Sequence, residues 1–391
     1  MPLVWELTAE LKRWLTPEKL ISFNESWISQ GGGLHHDVTS LMIRLLNNNE
    51  LHYENIIGAI EVECSRERDH NKRQNYYSAL AFLLQSVHGL LSERQIKNTN
   101  FTLNALNDFS SIKKLAEENK PLWVFSLNHD CIIEMLAAKA GIPIKSGLNE
   151  EIIVNIKDKY GIKHGILFEM LNRESISKNN YDFLGLGEFG INIVKLHGSL
   201  DIFGINDQLD YLKIKPIDNN PASLAHQLFL ILNTNSDIAL RDGVVCLNEN
   251  IYEDENGEIQ FLRNSLLSGA HKFTNQLSQI APSEFLSLFE GFLNGVDELI
   301  CIGYSFGDKH IDEKIATWLS SERMRKLEIV NPAIAVCPDR MKHIFEQVSC
   351  NKIGASDYFI KLNDTTSTTD DIASRRYRVT MREKIRSELL G

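Results

Sequence analysis

Four short apolar runs in this chain each end in a polar cluster able to do chemistry. Leu122–Phe125 leads into Asn128, His129 and Asp130; Ile191–Leu196 leads into His197, Gly198 and Ser199. Leu299–Ile302 leads into Gly303, Ser305 and Asp308, and Leu327–Val330 into Asn331. A histidine accepts a proton near neutral pH. An asparagine offers donor and acceptor together, whereas an ionised aspartate only accepts. Ligands of open α/β sheets bind beyond the carboxyl ends of the strands, so parallel neighbouring strands would turn all four clusters toward one crevice. Taken singly, each cluster reads as a cap or a turn; the functional reading rests on the four together.

Two further patterns carry less. Gly185, Gly187 and Gly190 have the spacing of a dinucleotide-binding loop, but that loop needs a strand before it and a helix after it. Here a strand comes after it, so a loop entering that strand is expected. Asp308, His310 and Asp312 resemble a metal cluster, yet on a first helical turn such positions spread around the axis. Asp308 is expected as a helix N-cap with acidic support. His35, His36 and Asp37 likewise read as a surface helix start.

The elements that must position these residues are read from periodicity. A helix is expected from Val4 to about Leu20, stopping at Pro17 or soon after, before the break at Gly31–Gly33. Further helices are expected over Asp37–Asn48, Tyr53–Cys64 and Tyr77–Ser92, with the charged Ser65–Asn75 as a solvated connection. After Pro121 short apolar strands alternate with helices (Cys131–Lys139, and Asp308 through Leu319), which indicates a mostly parallel α/β sheet. Ala333–Cys337 reads as a fifth strand. Asp201–Glu298 is an insertion with helices at Leu224–Leu232 and Ser283–Leu293. A polar linker, Asn363–Asp371, precedes a C-terminal helix with Tyr377, Met381, Ile385 and Leu389 at i, i+4 spacing.

Composition sets the limits. At 391 residues, with 43% hydrophobic and 24% charged, the chain reads as two to three globular domains, which excludes global disorder and rods. The longest apolar run, Ala79–Leu84, has six residues against about 18 for a membrane span, and no signal peptide opens the chain. A soluble, cytoplasmic protein is expected. The net charge of −11 supplies no global field toward nucleic acid, which argues against direct nucleic-acid binding. The closest two of six cysteines are thirteen residues apart (Cys337 and Cys350), so no zinc knuckle is expected.

In order and strand context, Asn128–Asp130, His197–Ser199, the Gly303–Asp308 run with His310 and Ile311, and Asn331–Pro332 resemble the motifs of the sirtuin-like (silent-information-regulator-like) family. The particular likeness is to its NAD-hydrolysing bacterial branch in anti-phage defence, and it covers about Pro121–Val336 outside the insertion. The resemblance implies a Rossmann-like α/β fold with a helical module and a large insertion. Residues 1–30 would hold the first helix of the core and 31–114 the helical module. The core would comprise 115–200 and 299–362, the latter binding NAD, with 201–298 inserted and 363–391 as linker and helix. It implies an NAD glycohydrolase that releases nicotinamide and ADP-ribose, with NAD as substrate and no zinc. Whether NAD is hydrolysed or cyclised stays open. A non-catalytic NAD or ADP-ribose sensor and an NAD-dependent protein deacylase are the alternatives, the second weakened by the missing cysteine pairs.

The resemblance also implies roles. His197 would accept the proton and Asn128 would hold the ribose and a water. Asp130 would take the carboxamide, Gly198 and Gly303 would admit the substrate, Ser305 would bond phosphate or ribose, and Asn331 would bond the adenosine ribose. His129 is expected to pack with one ring nitrogen bonded. Met1–Leu7 resembles the stretch just after the family's opening strand and Gly-rich loop. Either the chain begins at an internal methionine, which is the favoured expectation, or the phosphate site takes another donor. Relatives of this length resemble the partner of a HerA-type ring ATPase. A homo-oligomer is therefore expected, with 37–97 and the basic C-terminal helix as docking surfaces.

Overall fold

The structure, a computed structural model, describes residues 4–206, 210–266, 284–363 and 368–390. Pro17 does not merely stop the first helix; it opens a second. Thr16 accepts from the Lys19 N–H, and proline is well tolerated at a first helical position, where its missing N–H goes unused. Two helices result, α1 (Val4–Trp14) and α2 (Pro17–Ser29). They pack with α3 (His36–Asn47), α4 (Tyr53–Arg66) and α5 (His70–Lys97). The last begins earlier than its apolar pattern indicates, because Asp69 caps it by accepting from the Lys72 N–H at 2.8 Å. Its first turns are polar, and Leu80, Leu83, Leu84 and Val87 then bury it within the module. Two short helices, α6 (Thr99–Ala105) and α7 (Ile112–Glu118), lead to the sheets.

Six strands form two parallel sheets. In one, β1 (Leu122–Ser126) pairs with β5 (Ile191–Lys195), which pairs with β2 (Ile144–Lys145). In the other, β10 (Glu298–Ile302), β11 (Lys326–Val330) and β12 (Val348–Asn351) are neighbours in that order. Among the described residues, β1 and β10 each pair on one side only. The fifth strand expected at Ala333–Cys337 is a turn instead. Asn331 closes it, its side-chain oxygen accepting from the Ala333 N–H at 2.9 Å and its carbonyl from the Ile334 N–H at 3.1 Å.

The other six strands form one antiparallel sheet in the order β3 (Glu150–Lys157), β4 (Lys163–Leu171), β7 (Asp210–Ile214), β6 (Gly198–Ile205), β9 (Ile259–Leu266), β8 (Glu249–Glu253). The insertion is mixed: it supplies β7, β8, β9 and most of β6 to this sheet and backs it with α10 (Pro221–Asp242), a far longer helix than Leu224–Leu232. The sheet also recruits residues 150–171, expected in the parallel core, because β4 pairs with β7 from beyond β5. The connecting helices are α8 (Ile132–Ala140), α9 (Arg173–Ser177), α11 (Glu284–Leu293), α12 (Lys309–Ser321), α13 (Ala355–Leu362) and α14 (Thr369–Leu390). The chain is an α/β protein with Rossmann-like parallel strands, a helical module and a large antiparallel insertion. No helix among the described residues is long and apolar enough to cross a membrane.

Two cores hold these layers. Leu11, Met42, Leu83, Phe168 and Phe203 belong to one, spanning the helical module and the antiparallel sheet. Phe289, Trp318, Ile329 and Val194 belong to the other, around α11, α12 and the strands. α11 touches β1 as well as α12: Phe292 stacks on Trp123 with ring centroids 3.6 Å apart, and Phe289 meets Phe125 at 4.8 Å. That contact brings the two parallel sheets to one side of the molecule. Among the described residues of α14 none is buried; Tyr377 and Ile385 are exposed, Met381 is half-buried, and the Leu389 side chain lies outside the described residues. The helix meets the body through Arg375 and Arg378, both on Asp108, and along α1 through Arg386 near Glu6 and the Glu388 carbonyl on Arg13.

Candidate functional site

The carboxyl ends of β1 and β5 lie side by side. Ser126 is opposite Lys195, and the Leu196 N–H donates to the Ser126 carbonyl at 3.0 Å. Only Leu196 and His197 separate the end of β5 from the start of β6. His197 therefore sits at the joint between a parallel and an antiparallel sheet, 5% exposed. The ring of His129, from the loop after β1, has its centroid 6.4 Å away.

From the other parallel sheet, the turn after β10 reaches the same place. The Asp308 Oδ2 is 3.2 Å from the His197 Nε2, and both side chains are nearly buried. Its Oδ1 accepts from the His310 N–H at 3.2 Å and so caps α12, as its sequence position predicts. Tyr304 braces the turn from behind, donating from its hydroxyl to the Asp312 carboxylate at 2.6 Å and accepting from the Asp308 N–H at 3.3 Å. Burial, with the Asp312 bond added, pushes the Tyr304 phenol well up, so it acts as a donor. Burial also raises the Asp312 carboxyl above its usual range, and the Tyr304 bond opposes that rise. Phe306 has φ +57°, a left-handed backbone that a bulky residue adopts only at a cost.

The remaining expected residues divide into two groups. Asn128 is exposed at the end of β1, its N–H on the Ser126 hydroxyl at 3.2 Å. Gly303 has φ +72°, and a Cβ there would meet nothing within 4 Å, so its backbone is open to close approach. Ser305 beside it is exposed. The others already have structural partners. Gly198 has φ +77°, and a Cβ would lie 2.4 Å from the Ser265 carbonyl oxygen, so the approach of β9 explains this glycine. Asp130 accepts from the Ile132 N–H at 3.1 Å, opening α8. Asn331 donates to the Tyr304 carbonyl at 3.0 Å besides closing its own turn; it holds the Gly303 turn in place rather than reaching outward. Gly185–Gly190 forms the loop entering β5, with the Glu188 carboxylate on the Gly185 N–H.

Beneath the strand ends lies a buried ionic cluster. Lys195 donates to the Asp130 carbonyl and is 3.5 Å from Glu134; Lys213 contacts Glu134 at 2.9 Å and also Asp201. Burial opposes every charge here, yet Lys195 and Lys213 hold the Glu134 carboxyl below its ordinary value. Against the same burial, Glu134 and Asp130 hold Lys195 above its own. Two cavities border the region. One of about 430 Å³ between α11 and α12 reaches His310, and one of about 320 Å³ between β2 and β7 reaches Glu134 and Lys213.

The structure thus brings together His197, Asp308, the Gly303–Ser305 backbone and, through Tyr304, Asn331. The contact that the sequence reading did not foresee is Asp308 to His197. No protein-family model matches the chain, and no curated protein matches it.

Proposed function

We propose that the chain is an NAD glycohydrolase that releases nicotinamide from NAD to leave ADP-ribose. The observation that carries this reading is the meeting of His197 with the turn Gly303–Asp308 across the carboxyl ends of two parallel sheets. A buried base, an exposed asparagine in the loop just beyond the neighbouring strand and an open glycine backbone are the parts such a cleavage uses. Departure of nicotinamide turns a cationic ring into a neutral group, through an oxocarbenium-like transition state, so no strong general acid is needed. Asn128 orients a ribose hydroxyl and the attacking water, and His197 takes the proton. Asp308 already occupies the N-terminus of α12, so the diphosphate falls to Gly303 and Ser305. As further parts of the same proposal, the protein acts in the cytoplasm as a homo-oligomer in anti-phage defence. Its activity is controlled by a HerA-type ATPase partner, because unchecked NAD loss would kill the host.

The test is incubation of the purified chain with NAD, with and without an acetylated peptide. Nicotinamide should appear without peptide. Release only with peptide would mark a deacylase, and binding without release a sensor. His197→Ala and Asn128→Ala should each lower turnover about 10²–10⁴-fold while the fold persists; near-normal turnover in either would remove that residue from the mechanism.

A further inference from the structure

Lys195 closes β5 and is buried, yet it spends its hydrogen bond on main chain. The ammonium donates to the carbonyl of Asp130, while the Glu134 carboxylate stands 3.5 Å away. The same stretch of chain grips the loop after β1 at further points. The Leu200 N–H and the Ser199 hydroxyl both donate to the His129 carbonyl, at 2.8 and 3.0 Å. The Leu196 N–H holds the Ser126 carbonyl at 3.0 Å. These donors lie between Lys195 and Leu200, on both sides of His197. The carbonyls that receive them flank Asn128, which is itself exposed.

We propose that Lys195 and Ser199 are positioning residues for Asn128, holding its loop against the segment that carries His197. The structural part stands on these bonds; the catalytic consequence rests on the glycohydrolase reading. Among the described residues β1 pairs on one side only, so the strand alone leaves the loop beyond it free to shift. Fixing two consecutive carbonyls from β5 and β6 removes that freedom. Of the two tethers the lysine's is the firmer, because a charge-assisted hydrogen bond is roughly twice as strong as a neutral one.

The buried ionic cluster then has a task. Burial opposes the charge on Lys195, and Glu134 and Asp130 restore it. Glu134 comes from α8, Asp201 from β6 and Lys213 from β7, and Lys213 contacts both carboxylates. Two ammonium groups thus face two carboxylates, a neutral set that keeps a charged donor beneath the loop.

Lys195→Met alone would leave two buried carboxylates to one ammonium, a strongly destabilising imbalance. The decisive variant therefore combines Lys195→Met with Glu134→Gln, which keeps Lys213 on Asp201 and the interior neutral. Ser199→Ala is the milder companion, since the His129 carbonyl keeps the Leu200 N–H and the ionic cluster is untouched. In the double variant, hydrogen exchange of the amides from Leu127 to Cys131 should quicken about tenfold or more, with the helical module unchanged. The kcat for nicotinamide release should fall on the order of 10²-fold, the scale for a misplaced group, with KM little changed. Ser199→Ala should show the same pattern in smaller degree, and it decides by the same measurements if the double variant does not fold. Asn128→Ala separates positioning from general damage. Added to either variant it should cost little beyond its own penalty, because both changes remove one interaction. Penalties that multiply, or native exchange in the loop, would overturn the proposal. Quickened exchange in a chain whose native form releases no nicotinamide would uphold the tether and defeat the glycohydrolase reading alone.

Discussion

His88 illustrates how one buried group sets a pH response. It lies inside α5, with its Nδ1 3.4 Å from the Ser92 hydroxyl, and burial lowers its pKa from 6.5 to about 4. Between those values the unfolded chain binds a proton that the folded chain refuses. Stability should therefore be full above pH 6.5 and decline as the pH falls toward 4, by about 3 kcal/mol in all. Urea midpoints at pH 7 and pH 4.5 should differ, and His88→Leu should reduce that difference. Two glycines at the strand ends separate structure from function in the same way. Both have positive φ, but Gly198 meets the Ser265 backbone while Gly303 meets nothing. Gly198→Ala should be strongly destabilising, because the clash adds to about 1–3 kcal/mol of backbone strain. Gly303→Ala bears the strain alone and should stay folded while losing NAD cleavage, as thermal unfolding and nicotinamide release would show.

At the scale of elements, legibility depends on whether burial and apolarity coincide. β5 is buried throughout and reads as a strand despite its polar Asn192 and Lys195, because Ile191, Ile193 and Val194 surround them. β6 and β7 hide the buried Asp201 and Lys213, whose charges satisfy each other only in three dimensions. A sequence window sees such residues as solvated, so the antiparallel sheet reads as a mixed insertion. β12 has four residues and a weaker apolar pattern than Ala333–Cys337, where Asn331 overrides the pattern by closing a turn. The polar strand ends are legible because each cluster is contiguous in sequence; the Asp308 to His197 contact is not, because nothing local encodes it. α14 is the reverse case, a helix correctly placed whose apolar stripe, among the described residues, is not buried. It is anchored by Arg375 and Arg378 on Asp108 and by Arg386 near Glu6 at 3.7 Å, and such surface pairs contribute about 0–1 kcal/mol each. Deletion after Asn363 should leave the melting temperature within a few degrees, by the usual scaling of about 2–4 °C per kcal/mol for a large domain. If α14 joins copies, the same deletion should lower the mass measured by light scattering; an unchanged mass, or a monomeric native chain, would remove that role.

For the molecule as a whole, the order in which strands enter the sheets matters. β3 and β4 are made before β5, yet β4 finds its partner β7 only after β5 and β6 have passed. β1 waits for β5 across the whole of both, and β6 waits for β9 across α10. The parallel and antiparallel sheets are threaded through each other, and the chain crosses from one to the other at Leu196 and His197. Pairings this distant in sequence close late and slowly, since the loop entropy must be met before the contacts form. The β1–β5–β2 sheet has all its strands once Lys195 is made, whereas the antiparallel sheet begun by β3 and β4 waits for β6 to β9. A nascent chain released before Leu266 would expose the edge of β6, and with it a run of strand able to join a neighbouring chain. The joint that carries the proposed base is thus completed only once β9 has left the ribosome, which delays any chemistry there until the helical module and the antiparallel sheet already surround it.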